Sequence, residues 1–196
     1  MEFRASTPLK VLMTLLVLLT LFASWFVVRW YLGNTIAEYF HPEEYRLQTA
    51  ELAVRLAPND PLSHWRLGNV AQLELPPDQI GMVVVEYEKA VSLSPNDYRL
   101  WMEFGRALEQ AGDIDKAEKA LREAVKLAPS YAQPRWYLGN LLVRSDRYEE
   151  GFAELQRASQ ANDQFFPQLF NLAWQLHKDD FEQLKSAVGD RPAVRA

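Results

Sequence analysis

From Val11 to Val28 the chain carries no charge, and its only polar side chains are Thr14, Thr20 and Ser24. Hydroxyls of this kind bond back to a carbonyl of their own helix. About 20 predominantly apolar residues are what an α-helix needs to cross the hydrocarbon core of a bilayer. Arg29, Trp30 and Tyr31 follow at once, a basic and aromatic belt suited to the headgroup layer. The pattern predicts one membrane-spanning helix over residues 9–32, with Val11, Val28, Trp30 and Tyr31 marking the anchor. A cleaved signal peptide is the competing reading. Its apolar core is usually shorter and ends at small residues, whereas Phe22-Ala23-Ser24-Trp25 is a poor cleavage site. Beyond Tyr31 the pattern changes. Gly33-Asn34 reads as a helix stop, and Thr35 to Phe40 as a further short turn of helix packed where a first repeat helix is missing. His41-Pro42 resets the chain, and apolar residues then recur at helical spacing to the end.

The later pattern repeats. Gly68, Gly105 and Gly139 stand at intervals of 37 and 34 residues, inside W-R-L-G, W-M-E-F-G and W-Y-L-G. Pro58, Pro95 and Pro129 keep the same intervals, inside L-A-P-N-D, L-S-P-N-D and L-A-P-S-Y. Two independent markers with one period near 34 indicate helix pairs stacked as an α-solenoid. Small residues let neighbouring helices approach closely, and Pro ends each second helix by excluding the helical conformation from the residue before it. Asn96-Asp97 and Asn162-Asp163 offer side-chain caps for the helices that follow.

These residues resemble the tetratricopeptide repeat superfamily. That family places a large residue near position 4, Leu-Gly at 7 and 8, small residues at 20 and 27 and Pro at 32. In the unit starting at Tyr98, Trp101, Phe104, Gly105, Ala117, Ala124 and Pro129 fall in place. The unit from Ala132 supplies Leu138, Gly139, Gly151 and Ala158, with Trp136 one place late and Asp163 in place of the proline. The unit from Pro61 supplies Trp65, Leu67 and Gly68, then needs three extra residues, in the segment 74–81, to bring Ala90 and Pro95 into register. A partial unit follows at Phe166, with Phe170 and Ala173, and a half unit with Ala53 and Pro58 precedes. The expected fold is all-α: an antiparallel helix-pair solenoid of about three and a half repeats behind a single N-terminal transmembrane helix. The expected divisions are an N-terminal flank (1–8), the transmembrane helix (9–32), a membrane-proximal linker (33–42), the solenoid (43–186) and a flexible tail (187–196).

The resemblance implies a binding surface rather than a catalytic one. In the family, the first helices line a concave groove through positions 2, 5, 9, 12 and 13. Carried over, these positions give Trp65 and Asn69; Arg99, Met102 and Arg106; Trp136, Asn140 and Arg144; and Phe170 and Trp174. Asn69, Arg106 and Asn140 share one position, and Asn or Arg can hydrogen-bond a peptide backbone. The tryptophans have an ordinary packing role as the alternative. The carboxylate clamp of chaperone-binding members is absent: only Asn69 matches it, with Trp65, Glu103, Gln133 and Tyr137 at the other places.

Composition narrows the function further. The chain of 196 residues contains no cysteine, which excludes disulfides, thiolate metal sites and cysteine nucleophiles. From Gly33 onward the sequence carries 18 Lys+Arg against 25 Asp+Glu. That acidic balance argues against nucleic acid, which needs a basic footprint. His41, His64 and His177 are scattered, no phosphate loop or nucleophile elbow is present, and no cofactor is expected. The reading is a non-catalytic, membrane-anchored adaptor or assembly factor. Its partners are a membrane-associated protein and, through the N-terminal helix, the lipid bilayer. A permanent accessory subunit of a large membrane complex is the alternative. Arg4 and Lys10 outweigh Arg29 and the more distant Arg46, so the N-terminus is expected in the cytoplasm and the repeats outside, in the periplasm of a bacterium.

Overall fold

The computed structural model describes residues 7–40 and 46–189. All regular structure among them is helical, and the chain divides into two compact units after Glu74. The first contains α1 (Thr7–Tyr39), α2 (Arg46–Leu56) and α3 (Pro61–Glu74). The second contains α4 (Ile80–Leu93), α5 (Tyr98–Gln110), α6 (Ile114–Leu127), α7 (Ala132–Arg144), α8 (Tyr148–Ala161), α9 (Phe166–His177) and α10 (Phe181–Val188).

In the first unit α1 runs unbroken through Gly33-Asn34, which corrects the expected helix stop. The reason is packing: Gly33 and Ala37 are buried, and Gly33 lies directly on α2. A glycine held in a helix by close contact has no occasion to terminate it. The expected linker is therefore helical through Tyr39, while 41–45 lies outside the described residues. Asp60 accepts hydrogen bonds from the Ser63 backbone N–H (2.8 Å) and the Ser63 hydroxyl (2.7 Å), and so caps α3.

In the second unit the pairs α5/α6 and α7/α8 pack antiparallel along their length. Gly105 explains the first. A Cβ there would come within 2.7 Å of Leu121 Cγ and 3.2 Å of the Ala117 carbonyl. Gly139 repeats this geometry against Leu155 Cγ (2.7 Å) and the Gly151 carbonyl (2.9 Å). Ala90, Ala124 and Ala158 are completely buried, as their recurrence demanded. Leu108, Leu121, Leu138, Leu141 and Leu142 fill the central core, and Phe152, Leu155, Leu169 and Leu184 the C-terminal one.

The turns are equally regular. The second residue after α5 and after α7 takes a left-handed backbone, at Gly112 (φ 83°) and at Asp146 (φ 59°). Glycine accepts that conformation freely and a short Asp tolerates it. Asp97, Asp113 and Asp180 each cap the helix that follows with a side-chain oxygen, and Asn162 does the same for a short 3-10 turn at Asp163–Phe165. The extra residues before α4 form a defined 3-10 turn, Pro77–Gln79, closed by the Gln79 N–H on the Pro76 carbonyl (2.9 Å). At the far end, Ala187 and Val188 are helical and buried, so the expected flexible tail does not begin at 187. Residues 190–196 lie outside the described residues.

The fit at Gly139 has a measurable consequence. Gly139→Ala should lower the unfolding free energy by about 1–3 kcal/mol, because the partner at 2.9 Å is backbone and cannot yield. Gly81→Ala, on an exposed stretch of α4 with nothing within 4 Å of a Cβ, should raise it by roughly 0.5–1 kcal/mol. Urea unfolding followed by tryptophan fluorescence reads both.

Candidate binding face

The predicted groove residues come to quite different environments. In the first unit Trp65 and Asn69 are both half-buried on α3. In the second, Met102 is 5% exposed and belongs to the core. It offers no surface, which corrects its assignment to the groove. The α5 helix is strongly two-sided, and Met102 falls on its apolar side.

The arginines are exposed but engaged. Arg99 grips Asp97 through Nε (3.0 Å) and Nη2 (2.6 Å), while Asp97 also accepts from the Arg99 backbone N–H. The Arg99 hydrogen bond holds the Asp97 carboxyl below the usual carboxylate range, against the opposing effect of partial burial. Arg106 donates to Glu103 (2.7 Å) and lies over the Tyr137 ring, 4.6 Å from its centroid. Arg144 reaches from α7 to Glu109 on α5 through Nε (2.8 Å) and Nη2 (2.6 Å). Asn140 donates its amide N–H to the Trp136 carbonyl one turn back (2.8 Å). Trp136 stacks on Phe165 with centroids 4.8 Å apart and packs on the C-terminal core. It is a packing residue.

Phe170 and Trp174 are the exception. They lie one turn apart on α9, 37% and 49% exposed, with rings 6.3 Å apart and 20° from parallel. Buried Leu169 and Ala173 hold the adjoining side of α9, so the aromatic pair is presented on a fixed helix.

Several pairings escaped the sequence reading. Glu103 and Glu109 determine what Arg106 and Arg144 can offer, and the signal for Glu109 was its spacing of one repeat from Arg144. Glu118 on α6 is a second such case, receiving Arg147 (2.6 Å) and Arg122 (2.8 Å). A further regularity concerns the proline carbonyls. Trp101 Nε1 donates to Pro95 O (2.7 Å), Arg135 Nε to Pro129 O (3.2 Å), and His64 Nε2 stands 3.0 Å from Pro58 O. All three donors sit six residues after the proline, at position 4 of their unit. That explains why Trp136 comes one place late: Arg135 already supplies the N–H. It also gives His64 a structural partner in place of a metal. Finally, Tyr148, Phe152, Gln156, His177 and Gln183 line a cleft of about 590 Å³ between α8 and the end of α9 with α10. The His177 ring lies 6.2 Å from Tyr148 and 5.6 Å from Phe152.

Stacked helix pairs with close small-residue contacts, Pro-terminated second helices and a mostly polar first-helix face define an interaction solenoid. The tetratricopeptide repeat family model matches residues 86–132 and 102–165, so this stretch consists of tetratricopeptide repeats. Among solved structures, the fold is similar to MamA (residue 41 to the end) from Desulfovibrio magneticus RS-1, with a TM-score of 0.64 at 20% identity. That likeness covers 81% of this chain and 90% of the other. It is also similar to YrrB, described as a TPR protein with an unusual peptide-binding site: TM-score 0.58 and 17% identity, over 74% and 76% of the two chains. The E3 ubiquitin-protein ligase CHIP of Arabidopsis thaliana is 28% identical over 81 residues. That stretch is 41% of this chain and spans only 29% of the ligase.

Glu118 makes the electrostatics testable. Burial pushes its carboxyl up, but hydrogen bonds and charge from Arg122 and Arg147 outweigh it and hold the group below the usual 4.5. A carboxylate held low stabilises the fold above its unfolded pKa, and that contribution is lost as pH falls through the folded value. The melting temperature of Glu118→Gln should therefore start below wild type at pH 7. Thermal melts should converge with wild type as pH drops below about 4.5.

Proposed function

We propose that the protein is a non-catalytic, membrane-anchored tetratricopeptide repeat protein that holds a protein partner at the membrane. One observation carries this reading: an 18-residue apolar stretch of α1 has none of its residues buried, and the same chain continues into stacked repeat helices. Val11, Val28, Trp30 and Tyr31 are all about half exposed or more. Apolar surface of that extent needs lipid or another protein around it. The anchor is assigned to residues 9–32 and the solenoid to the chain from residue 43. The excess of flanking positive charge at Arg4 and Lys10 favours a cytoplasmic N-terminus and exported repeats.

The partner-binding assignment rests on exposure. Phe170 and Trp174 present fixed aromatic surface, the kind that forms the energetic centre of interfaces. Arg106 and Arg144 have carboxylate partners of their own, so they contribute orientation more than net attraction. YrrB, by its description, is a tetratricopeptide repeat protein that binds peptide, and a polypeptide segment is the ligand class assigned here.

Purification of the tagged chain from native membranes in mild detergent, with mass spectrometry of what stays bound, tests the reading. Phe170→Ala with Trp174→Ala should weaken retention of the partner by roughly 30-fold or more. Arg144→Ala should change it by no more than about fivefold. A stoichiometric set of membrane subunits that survives high salt and both substitutions would replace the adaptor with a permanent subunit. Complete release of the chain by alkaline carbonate would sink the anchor.

A further inference from the structure

Trp30-Tyr31-Leu32-Gly33-Asn34 is the same text as Trp136-Tyr137-Leu138-Gly139-Asn140. In α7 this text is the centre of a repeat's first helix, with Gly139 pressed on the backbone of α8. Gly33 is used in the same way. A Cβ there would meet Ala57 Cβ at 2.6 Å, the Ala53 carbonyl at 2.8 Å and the Ala57 nitrogen at 2.9 Å. Ala53 holds the position of Ala90 and Ala124, five residues before the proline, and of Ala158, five before Asp163, and is as fully buried as they are. The contact falls about two turns nearer the end of α2 than the corresponding one on α8: Gly33 meets residues 20 and 24 further along, Gly139 residues 12 and 16 further along.

Two polar contacts fix the same stretch of α1. Arg29 Nη2 donates to the Arg55 carbonyl at the end of α2 (2.8 Å), where a cation complements the helix dipole. Asn34 donates to Asp60 (3.3 Å), the buried carboxylate that caps α3. Arg29, Gly33 and Ala37 recur every fourth residue, so they share one face of the helix. Among the described residues that face is exposed above Arg29, at Leu18, Leu21 and Trp25, and below it the face is covered by α2 and α3.

We infer that the last three turns of α1 are the first helix of an additional leading repeat, so that anchor and repeat are one continuous helix with no hinge between them. This rests on the membrane-anchor reading. The bilayer then sets the geometry of the leading repeat directly. The end of α2, held by Arg29, stands at the level where the apolar stretch stops, and any tilt of the anchor is a tilt of α2 and α3.

The absence of native cysteine permits a direct test in the full chain in native membranes. Gly33→Cys with Ala57→Cys places two thiols on Cβ positions that need only about an ångström of separation to reach disulfide geometry. Mild oxidation should join them nearly completely. Trypsin, cutting after Arg29, Arg46, Arg55 and Arg66, should then yield the linked peptides Trp30–Arg46 and Leu56–Arg66. A control pair, Leu21→Cys with Ala57→Cys, should stay unlinked. Linking of the first pair no better than the control overturns the assignment. In the chain without cysteines, Gly33→Leu should raise tryptic cleavage at Arg46 by roughly tenfold, since local opening governs such cleavage. An unchanged rate counts against docking. Carbonate extraction of the linked protein separates the two readings. Release from the membrane ends the anchor reading and the coupling with it, while a formed link still upholds the leading repeat.

Discussion

The structure depends on backbones coming into contact where two helices of a pair cross. At Gly105 and Gly139 the opposing helix sits so close that a single methyl group has no room. Dispersion and exclusion of water both favour such contact, and they fall away steeply once a gap opens. Everything else in the repeat is arranged to let this happen. Large residues lie one turn away, where Leu121 and Leu155 fill the space beside each glycine. Gly112 and Asp146 turn the chain tightly enough for the second helix to come straight back.

Polar groups then secure what close packing begins. A proline follows α2, α4 and α6, and its carbonyl is left outside any helical ladder. An N–H six residues later accepts the task of satisfying it, from Trp101, Arg135 or His64. The three side chains share little except a donor on a long stem, so the position selects for hydrogen-bonding capacity rather than bulk. Ion pairs extend the same logic from helix to helix. Arg144 with Glu109, Arg147 with Glu118 and Arg135 with Glu154 each join elements from different parts of the chain. Exposed pairs of this kind contribute only about 0–1 kcal/mol each. Their larger effect here is to neutralise a face whose sequence suggested free cations.

The period, the glycines and the prolines were legible because each answers to a local rule: one residue type, one backbone requirement. The use of the groove residues was not, because it depends on neighbours a whole repeat away. Met102 looks like Arg106 in a position count, yet one faces the core and the other Tyr137. Arg144 reads as a ligand-facing cation until Glu109 is placed beside it. Gly33 was misread for a related reason. Gly-Asn at the end of an apolar run is a stop signal locally, and only the contact with Ala53 and Ala57 shows that the glycine is needed inside the helix. The text W-Y-L-G-N around it carried that information, but directly after an uncharged apolar run the same letters also fit the interfacial end of a membrane span.

These features bear on how the molecule can act. With its arginines paired and its tryptophans mostly packed, the first-helix face of the second unit is rigid and nearly neutral. Phe170 and Trp174 supply most of the apolar area offered by the assigned positions. The partner proposed to bind there would gain from desolvating a preformed aromatic pair and lose little to reordering, because the adjoining side of α9 is already held by Leu169 and Ala173. At the other end of the chain, the helix proposed to lie in the bilayer is also the helix on which α2 and α3 are built. A flexible tether would raise the local concentration of a binding module and leave its orientation free. A shared helix instead fixes the orientation of α2 and α3 on the proposed anchor.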